Sequence, residues 1–343
     1  MLKLPAYLYG KIIELRNALY DKGVFETHDL GARVISVGNI TTGGTGKTPL
    51  VAYIAEVLAA RGEKVCILTR GYGRAEKKQR VLVSDGEQVL ADAATGGDEP
   101  VELAHKLLGK AIVIADADRV SAAEWALRKF GVTVFVLDDG FQHRKAKRDL
   151  DIVCIDATNP CDGGKMLPLG RLREPLAGLA RADCIIITRS DLVDDITELR
   201  ARLTKWNSDA VMFEAKNVIS AITPIEEFHA KTQRSQSKSM SQRAFAFCGV
   251  GNPESFFEQL KRAGVEPVAT QSYADHHFYS QADVSEIEAS AKSYGSEVLL
   301  TTAKDAVKIS NLKFAMSCSV VEIEMEIDDK DVFETMLSLN HLL

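Results

Sequence analysis

The sequence predicts an α/β fold: a parallel sheet with helices on both faces, followed by a smaller C-terminal α/β domain. Three observations predict it. Between residue 33 and about residue 190, β-branched apolar runs alternate with amphipathic helical stretches, the pattern of a parallel sheet buried on both sides. A glycine-rich run, Thr41 to Thr48 (TTGGTGKT), joins the first of these strands to the first of these helices. A second alternation begins near residue 243, beyond the polar stretch Thr232 to Ser241 (TQRSQSKSMS), which reads as a surface loop.

In chain order, residues 2 to 20 place Leu8, Ile12, Leu15 and Leu19 on one helical stripe, with Tyr7, Tyr9 and Tyr20 nearby and Lys3, Lys11, Arg16 and Lys22 as cations. The segment is too short and too charged for a signal-peptide core. Two readings stay open, a helix packed on its own domain and a basic amphipathic helix lying in a bilayer surface. Strands are expected at Val34 to Val37, Val65 to Leu68, Ile112 to Ala115, Val132 to Leu137, Ile152 to Ile155 and Cys184 to Thr188. A helix starting near Pro49 puts Leu50, Ile54, Val57 and Leu58 on one face, and another covers Val120 to Phe130. The second alternation has a strand at Phe245 to Phe247 and a helix from Glu254. Further strands follow near Val265 to Thr270, Val298 to Leu300 and Val320 to Met325. The expected division is a first domain over 1–214, with the amphipathic helix at about 1–22, a linker over 215–242 and a C-terminal domain over 243–343.

The bulk composition narrows the function. A net charge of -6 argues against a nucleic-acid-binding protein, which would carry a basic excess. The six cysteines show no CxxC pairing, and Cys66, Cys154, Cys184 and Cys248 fall in apolar strand-like runs, so they read as reduced core thiols of a cytosolic protein. No apolar run approaches the ~18 residues of a membrane span.

Several motifs carry chemistry. In TTGGTGKT, backbone N–H groups and the start of the next helix would cradle phosphates, Lys47 would reach the β/γ oxygens and the Thr48 hydroxyl would hold Mg²⁺. Thr41 stands where such loops usually have their first glycine. The strand Val134 to Leu137 ends in Asp138-Asp139, the arrangement that brings a carboxylate to Mg²⁺ beside a phosphate loop. Asp98, in GGDEP, reads first as a helix cap with Pro100 in the first turn, and alternatively as a base for an attacking hydroxyl. The loops Arg70-Gly71-Tyr72-Gly73-Arg74 and Leu167 to Pro175, with Arg171 and Arg173, offer guanidiniums for an anionic ligand.

Weaker signals come later in the chain. Gly249-Val250-Gly251 after a strand reads as a tight connection. Asp275-His276-His277-Phe278 suits one histidine paired to a carboxylate better than a metal, because adjacent side chains do not face the same way. Thr302-Ala303-Lys304-Asp305 could cap a helix or reach the interdomain cleft. Thr188-Arg189-Ser190-Asp191 resembles a guanine-reading [NT]KxD element with Arg in place of Lys. A switch-type P-loop NTPase, whose output is hydrolysis, is the rival to a kinase.

Taken in order, TTGGTGKTP, TRGYGR, GGDEP, DDGFQH, LPLGRLREP, ADHHFY and TTAKDAVK closely resemble the tetraacyldisaccharide 4′-kinase family over nearly the whole chain. The resemblance implies a P-loop NTPase-like fold and transfer of the γ-phosphoryl group of ATP, with Mg²⁺, to the 4′-hydroxyl of tetraacyldisaccharide 1-phosphate in lipid A synthesis. It implies nucleotide binding by Thr41, Thr42, Gly43, Gly44, Thr45, Gly46, Lys47 and Thr48, and metal binding by Thr48, Asp138 and Asp139. Asp98 would be the base, His276 its partner and Lys47 the third catalytic group. Arg70, Tyr72, Arg74, Arg119, Gln142, His143, Arg171, Arg173 and Glu174 are the expected substrate contacts. The family's lipid substrate favours the interfacial reading of the N-terminal helix, at the cytoplasmic face of the inner membrane. Neither nucleic acid nor an obligate protein partner is expected.

Overall fold

The computed structural model describes residues 2–74, 76, 78–230 and 243–339. The stretch Thr232 to Ser241 lies outside the described residues. The strands are β1 Arg33–Gly38, β2 Val65–Thr69, β3 Val81–Ser84, β4 Ala111–Ala115, β5 Val134–Asp138, β6 Leu150–Asp156, β7 Cys184–Thr188, β8 Val211–Pro224, β9 Ala244–Cys248, β10 Ala269–Ser272, β11 Val298–Thr302 and β12 Ser317–Ile327. The helices are α1 Lys3–Asp21, α2 Lys47–Ala60, α3 Ala93–Gly96, α4 Asp98–Lys106, α5 Arg119–Phe130, α6 Thr197–Thr204, α7 Ile225–Ala230, α8 Pro253–Arg262, α9 Gln281–Ser293, α10 Ala303–Ala306 and α11 Lys330–Met336.

Among the described residues the strands form one sheet in the order β10-β9-β11-β12-β8-β7-β6-β1-β5-β2-β4-β3. Every pairing is parallel except β8 with β12 and β3 with β4. Strands β2, β4, β5, β6 and β7 are buried along their whole length, and β1 from Val34 onward, which is why they read as near-continuous apolar runs. The six cysteines are free and buried.

The β8–β12 pair positions the site. Strand β7 runs parallel to the start of β8, Cys184 opposite Val211 through Thr188 opposite Ala215. Strand β11 runs parallel to the start of β12, Val298 opposite Ser317 through Thr302 opposite Val321. Because β8 and β12 are antiparallel, Ala215 facing Ile327 and Pro224 facing Ser319, the two parallel halves point their carboxyl ends at each other along this ribbon. Ligands of open α/β sheets gather at carboxyl ends, so the topology turns two such edges into the walls of one cleft. Asn217, Val321 and Ile323 of the ribbon lie on its floor.

Residues 215–224 of the expected linker therefore belong to a strand, and α7 follows directly. The alternation in this stretch is interrupted by Lys216, Asn217 and Ser220, which hid a strand stabilised by its partner β12 rather than by a buried face. Strand β3, an edge strand with only two fully buried residues, was not anticipated either. The strand expected near Val265 to Thr270 starts later, at Ala269.

Helix α1 packs through its small residues, Ala6 and Gly10, and through Tyr9, whose hydroxyl donates to the Arg173 carbonyl at 3.0 Å. Most of its apolar stripe does not pack on the domain. Tyr7, Leu8, Ile12 and Leu15 are exposed by 62%, 52%, 64% and 63%.

Candidate active site

The run from Thr41 to Thr48 wraps from the end of β1 to the start of α2. Gly46 precedes the helix with a φ of 78°, a conformation that strains any residue with a Cβ, and a Cβ there would meet Thr188 at 3.3 Å. Three contacts brace the loop from behind. Asn39 Nδ2 donates to Thr45 Oγ1 at 2.9 Å, Thr188 Oγ1 to the Thr45 carbonyl at 2.9 Å, and Arg189 to the Gly44 carbonyl at 2.9 Å. Arg189 also pairs with Asp156, while Asp191 is held by Arg262 at 2.9 Å. The [NT]KxD-like element thus supports the phosphate loop, and its carboxylate is taken.

The paired aspartates diverge. Asp138 ends β5 buried, and burial pushes its carboxyl up to about 6. Asp139 turns out with a φ of 51° and accepts from Arg173 through both oxygens at 2.7 Å, with Lys47 at 3.6 Å. Burial alone would raise it, but Lys47 and Arg173 hold its carboxyl well below the usual range.

Across the cleft, Asp98 Oδ2 meets His276 Nδ1 at 2.7 Å. Asp98 is 5% exposed and opens α4, where its Oδ1 accepts from the Glu99 N–H at 3.0 Å. Capping is not its role. The cap position is Gly97, and no side-chain cap hydrogen bond is formed. His276 sits in the left-handed region with a φ of 59°, a sparsely populated conformation for a residue with a side chain, and its ring lies 5.6 Å from that of Tyr72. The Asp98 hydrogen bond raises the His276 imidazole above its ordinary value. Burial would raise Asp98 too, but the His276 hydrogen bond and the Lys304 charge outweigh it and hold Asp98 below the ordinary carboxylate value. Thr302 accepts from the Asp305 N–H at 3.0 Å and so caps α10, while Lys304 reaches the cleft, 3.2 Å from Glu99.

The Gly249-Val250-Gly251 turn reaches the phosphate loop. A Cβ on Gly251 would meet Asp275 Oδ2 at 3.0 Å and the Gly44 nitrogen at 3.7 Å, so glycine here permits the close approach of the two walls. One cavity of about 890 Å³ is lined by the phosphate loop, Arg70, Tyr72, Asp138, Asp139, Gln142, Arg173, Glu174 and His276, with Tyr9, Ile13, Arg16 and Asn17 of α1.

Several of the expected substrate contacts are buried or engaged by neighbouring backbone and side chains. Arg74, 2% exposed, donates to the carbonyls of Gln79 and Ala115 at 2.8 and 2.7 Å. Arg119, fully buried, donates to the carbonyls of Asp138 and Asp139 and fixes the end of β5. Both guanidiniums satisfy backbone acceptors that strand ends leave over. His143 is buried, and burial with the surrounding arginines pushes it down to about 3, so it is neutral. Gln142 donates to Glu174 at 2.7 Å, and Glu174, 1% exposed, also accepts from Arg181 at 2.9 Å. Arg70 and Arg171 stay exposed, Arg171 beside Gly43. Sequence reasoning passed over Glu99, Asp275 and Lys304 as site residues, although GGDEP, ADHHFY and TTAKDAVK contain them.

Comparison with known proteins matches residues 1–341 to the family described as tetraacyldisaccharide-1-P 4′-kinase. The chain is 39% identical to a tetraacyldisaccharide 4′-kinase of Halothermothrix orenii over 90% of this chain and 83% of the relative. It is 36% identical to one of Geobacter metallireducens over 96% of this chain and 94% of the relative. A solved structure, LpxK from Aquifex aeolicus in complex with ATP, matches with a TM-score of 0.78 and 30% identity, covering 98% of this chain and 97% of the other.

Proposed function

The chain belongs to the tetraacyldisaccharide 4′-kinase family, and from that premise we propose which of its side chains carry the transfer. The reaction is ATP-dependent phosphorylation of the 4′-hydroxyl of tetraacyldisaccharide 1-phosphate, a step of lipid A synthesis. The observation that carries the assignment of roles is the 2.7 Å contact of Asp98 with His276, which lines the same cavity as the phosphate loop.

On the donor side, the Gly43 to Thr48 amides and Lys47 take the β- and γ-phosphates. The loop needs no reorganisation to do so, since Asn39, Thr188 and Arg189 already brace it. Mg²⁺ fits the pair Thr48 and Asp138. Asp139 is engaged by Arg173 and Lys47, whereas burial of the Asp138 carboxylate outweighs the nearby Lys47 and Arg119 charges and raises its proton affinity, a cost that a bound cation would relieve. Such a site needs only one or two protein oxygens, because phosphates and water complete the shell, and the ion would neutralise charge on the transferring group.

On the acceptor side, Asp98 receives the proton of the attacking 4′-hydroxyl as its oxygen bonds to the γ-phosphorus and the bond to the β,γ-bridging oxygen breaks, releasing ADP, while His276 holds Asp98 in place and shares the charge. An ionised Asp98 is a weak base for a free sugar hydroxyl. Proton removal therefore accompanies a loose phosphoryl-transfer transition state and does not precede it. Arg70 and Arg171, exposed at the cavity edge, are free to meet the substrate's 1-phosphate, which the buried Arg74 and Arg119 are not. Helix α1 bears an unpacked apolar stripe outward and cavity-lining residues inward, which supports an interfacial helix feeding a lipid into the cleft at the cytoplasmic face of the inner membrane. No described helix is long and apolar enough to cross a membrane.

Transfer of label from γ-labelled ATP to tetraacyldisaccharide 1-phosphate tests the assignment. Asp98→Asn is expected to lower kcat about 10²–10⁴-fold, the usual worth of a general base, with ATP affinity within about twofold. An unchanged kcat would remove Asp98 from the chemistry.

A further inference from the structure

Three carboxylates converge on one ammonium at the edge of the cleft. Lys304 Nζ, on α10, lies 3.0 Å from Asp275 Oδ1, 3.2 Å from Glu99 Oε1 and 3.8 Å from Asp98 Oδ2. Its side chain is only 13% exposed, so these pairs are shielded from solvent far more than a rim salt bridge. Asp98 Oδ2 is also the oxygen that meets His276 Nδ1, so ammonium and imidazole share one acceptor. Asp275 closes the circuit. Its Oδ1 accepts from the His276 N–H at 3.0 Å, and its Oδ2 lies 3.7 Å from His276 Nε2.

Resting on the assignment of Asp98 and His276 above, we propose that Lys304 is a positioning residue that sets the protonation state of this pair. It holds Asp98 ionised and keeps His276 from taking a proton too readily. The physical basis is the sign of each interaction. A cation lowers the proton affinity of every group near it, while the carboxylates raise that of His276. The charged groups facing the pair are Asp98, Glu99 and Glu102 from α4, Asp275 from the loop, Lys304 from α10 and Lys308 just after it. The Tyr72 ring adds a neutral face. Lys308 is engaged by Asp305 at 2.7 Å. With Lys304 removed, His276 would stand among carboxylates with its nearest opposing cation gone. It would protonate at higher pH, and a protonated His276 competes for the charge that Asp98 must offer the hydroxyl.

The test is a titration of His276 in the full chain by ¹⁵N-histidine NMR, alongside the pH profile of kcat. Lys304→Met is expected to raise the His276 midpoint by about one pH unit, a tenfold change in proton binding, and to move the acid limb of kcat upward with it. The KM for ATP should stay within about twofold. Lys304→Arg, which keeps the charge, should restore both midpoints, and Asp275→Asn should move the His276 midpoint the opposite way. Lys304→Gln carries the same expectation if the Met variant does not fold. A kcat that falls equally at all pH values with the His276 midpoint unmoved would reduce Lys304 to a structural tie and overturn the inference. Asp98→Asn separates this failure from failure of the underlying roles. If it leaves kcat unchanged, the pair is not the base and Lys304 has nothing to position. If it lowers kcat while Lys304→Met leaves the midpoint fixed, only the role of Lys304 is lost.

Discussion

From Thr41 to Thr48 the groups facing the cavity belong to consecutive residues, held from behind by Asn39, Thr188 and Arg189. Asp98, Asp275, His276 and Lys304 instead come from three separate segments and hold one another by charge. The first wall works through backbone amides and one lysine. The second works through carboxylates and an imidazole, the imidazole raised by its hydrogen bond to Asp98. The donor wall is thus fixed by chain geometry, and the acceptor wall is fixed by a charge balance that pH can shift.

The sharpest way to break this contrast is Lys47→Met. Lys47 supplies a charge where charge develops in transfer, and loss of one such preorganised group costs about 10²–10³ in kcat. The expected signature is a kcat depressed by that factor with the shape of its pH profile unmoved. A profile that shifted with Lys47 would mean that the two walls are electrostatically one.

The same contrast explains what could be read in advance. TTGGTGKT announced itself because every group it needs is local, and the buried strands announced themselves by unbroken β-branched runs. The acceptor wall was legible only through resemblance, since nothing in the spacing of Asp98 and His276, which lie in separate halves of the chain, says that their side chains meet at 2.7 Å. Lys304 was visible in TTAKD without a role, because its meaning lies in three carboxylates brought to it by the β8–β12 ribbon. Arg74 and Arg119 misled for the opposite reason. An arginine in a glycine-rich loop or at a helix start looks available for an anion until the carbonyls of neighbouring strand ends claim it.

Helix α1 also lines the cavity, and Leu8→Glu with Ile12→Glu tests its exposed apolar face. Each side chain is more than half exposed, so neither change opens a hole in the core. Burying two such side chains in a bilayer interface is worth about 1.5 kcal/mol each, so partition onto anionic liposomes should weaken about 10²-fold. With detergent-dispersed substrate kcat should hold. Undiminished liposome binding would remove α1 from the membrane role.

A smaller effect is expected from Arg173→Met. Arg173 occupies both oxygens of Asp139, and without it the aspartate would draw on Lys47, now 3.6 Å away. Lys47 would then be partly withdrawn from phosphate. Since both Arg173 and Asp139 are about one-quarter exposed, the discounted loss is about 1.4 kcal/mol, seen as a KM for ATP raised about tenfold. An unchanged KM would show that Asp139 and Lys47 act independently.

His143 gives the finest test, because it is a buried titratable group outside the acceptor wall. Burial pushes it down to about 3, and its Nε2 is buried without a hydrogen-bond partner. The folded protein therefore keeps it neutral while the unfolded chain binds a proton below about 6.5. Stability from this site is complete above that value and is lost as pH falls towards 3, with the unfolded state holding the extra proton. Between pH 7 and pH 5 the loss is about 2 kcal/mol. Urea unfolding at both values should show a drop smaller by about that amount in His143→Asn than in the parent, since the other carboxylates and histidines are common to both. The acid limb of kcat should be the same in both proteins, whereas His276→Asn should erase it. If His143→Asn moves the limb, the pH dependence of turnover is not confined to the acceptor wall, and the division between a wall set by geometry and a wall set by charge fails.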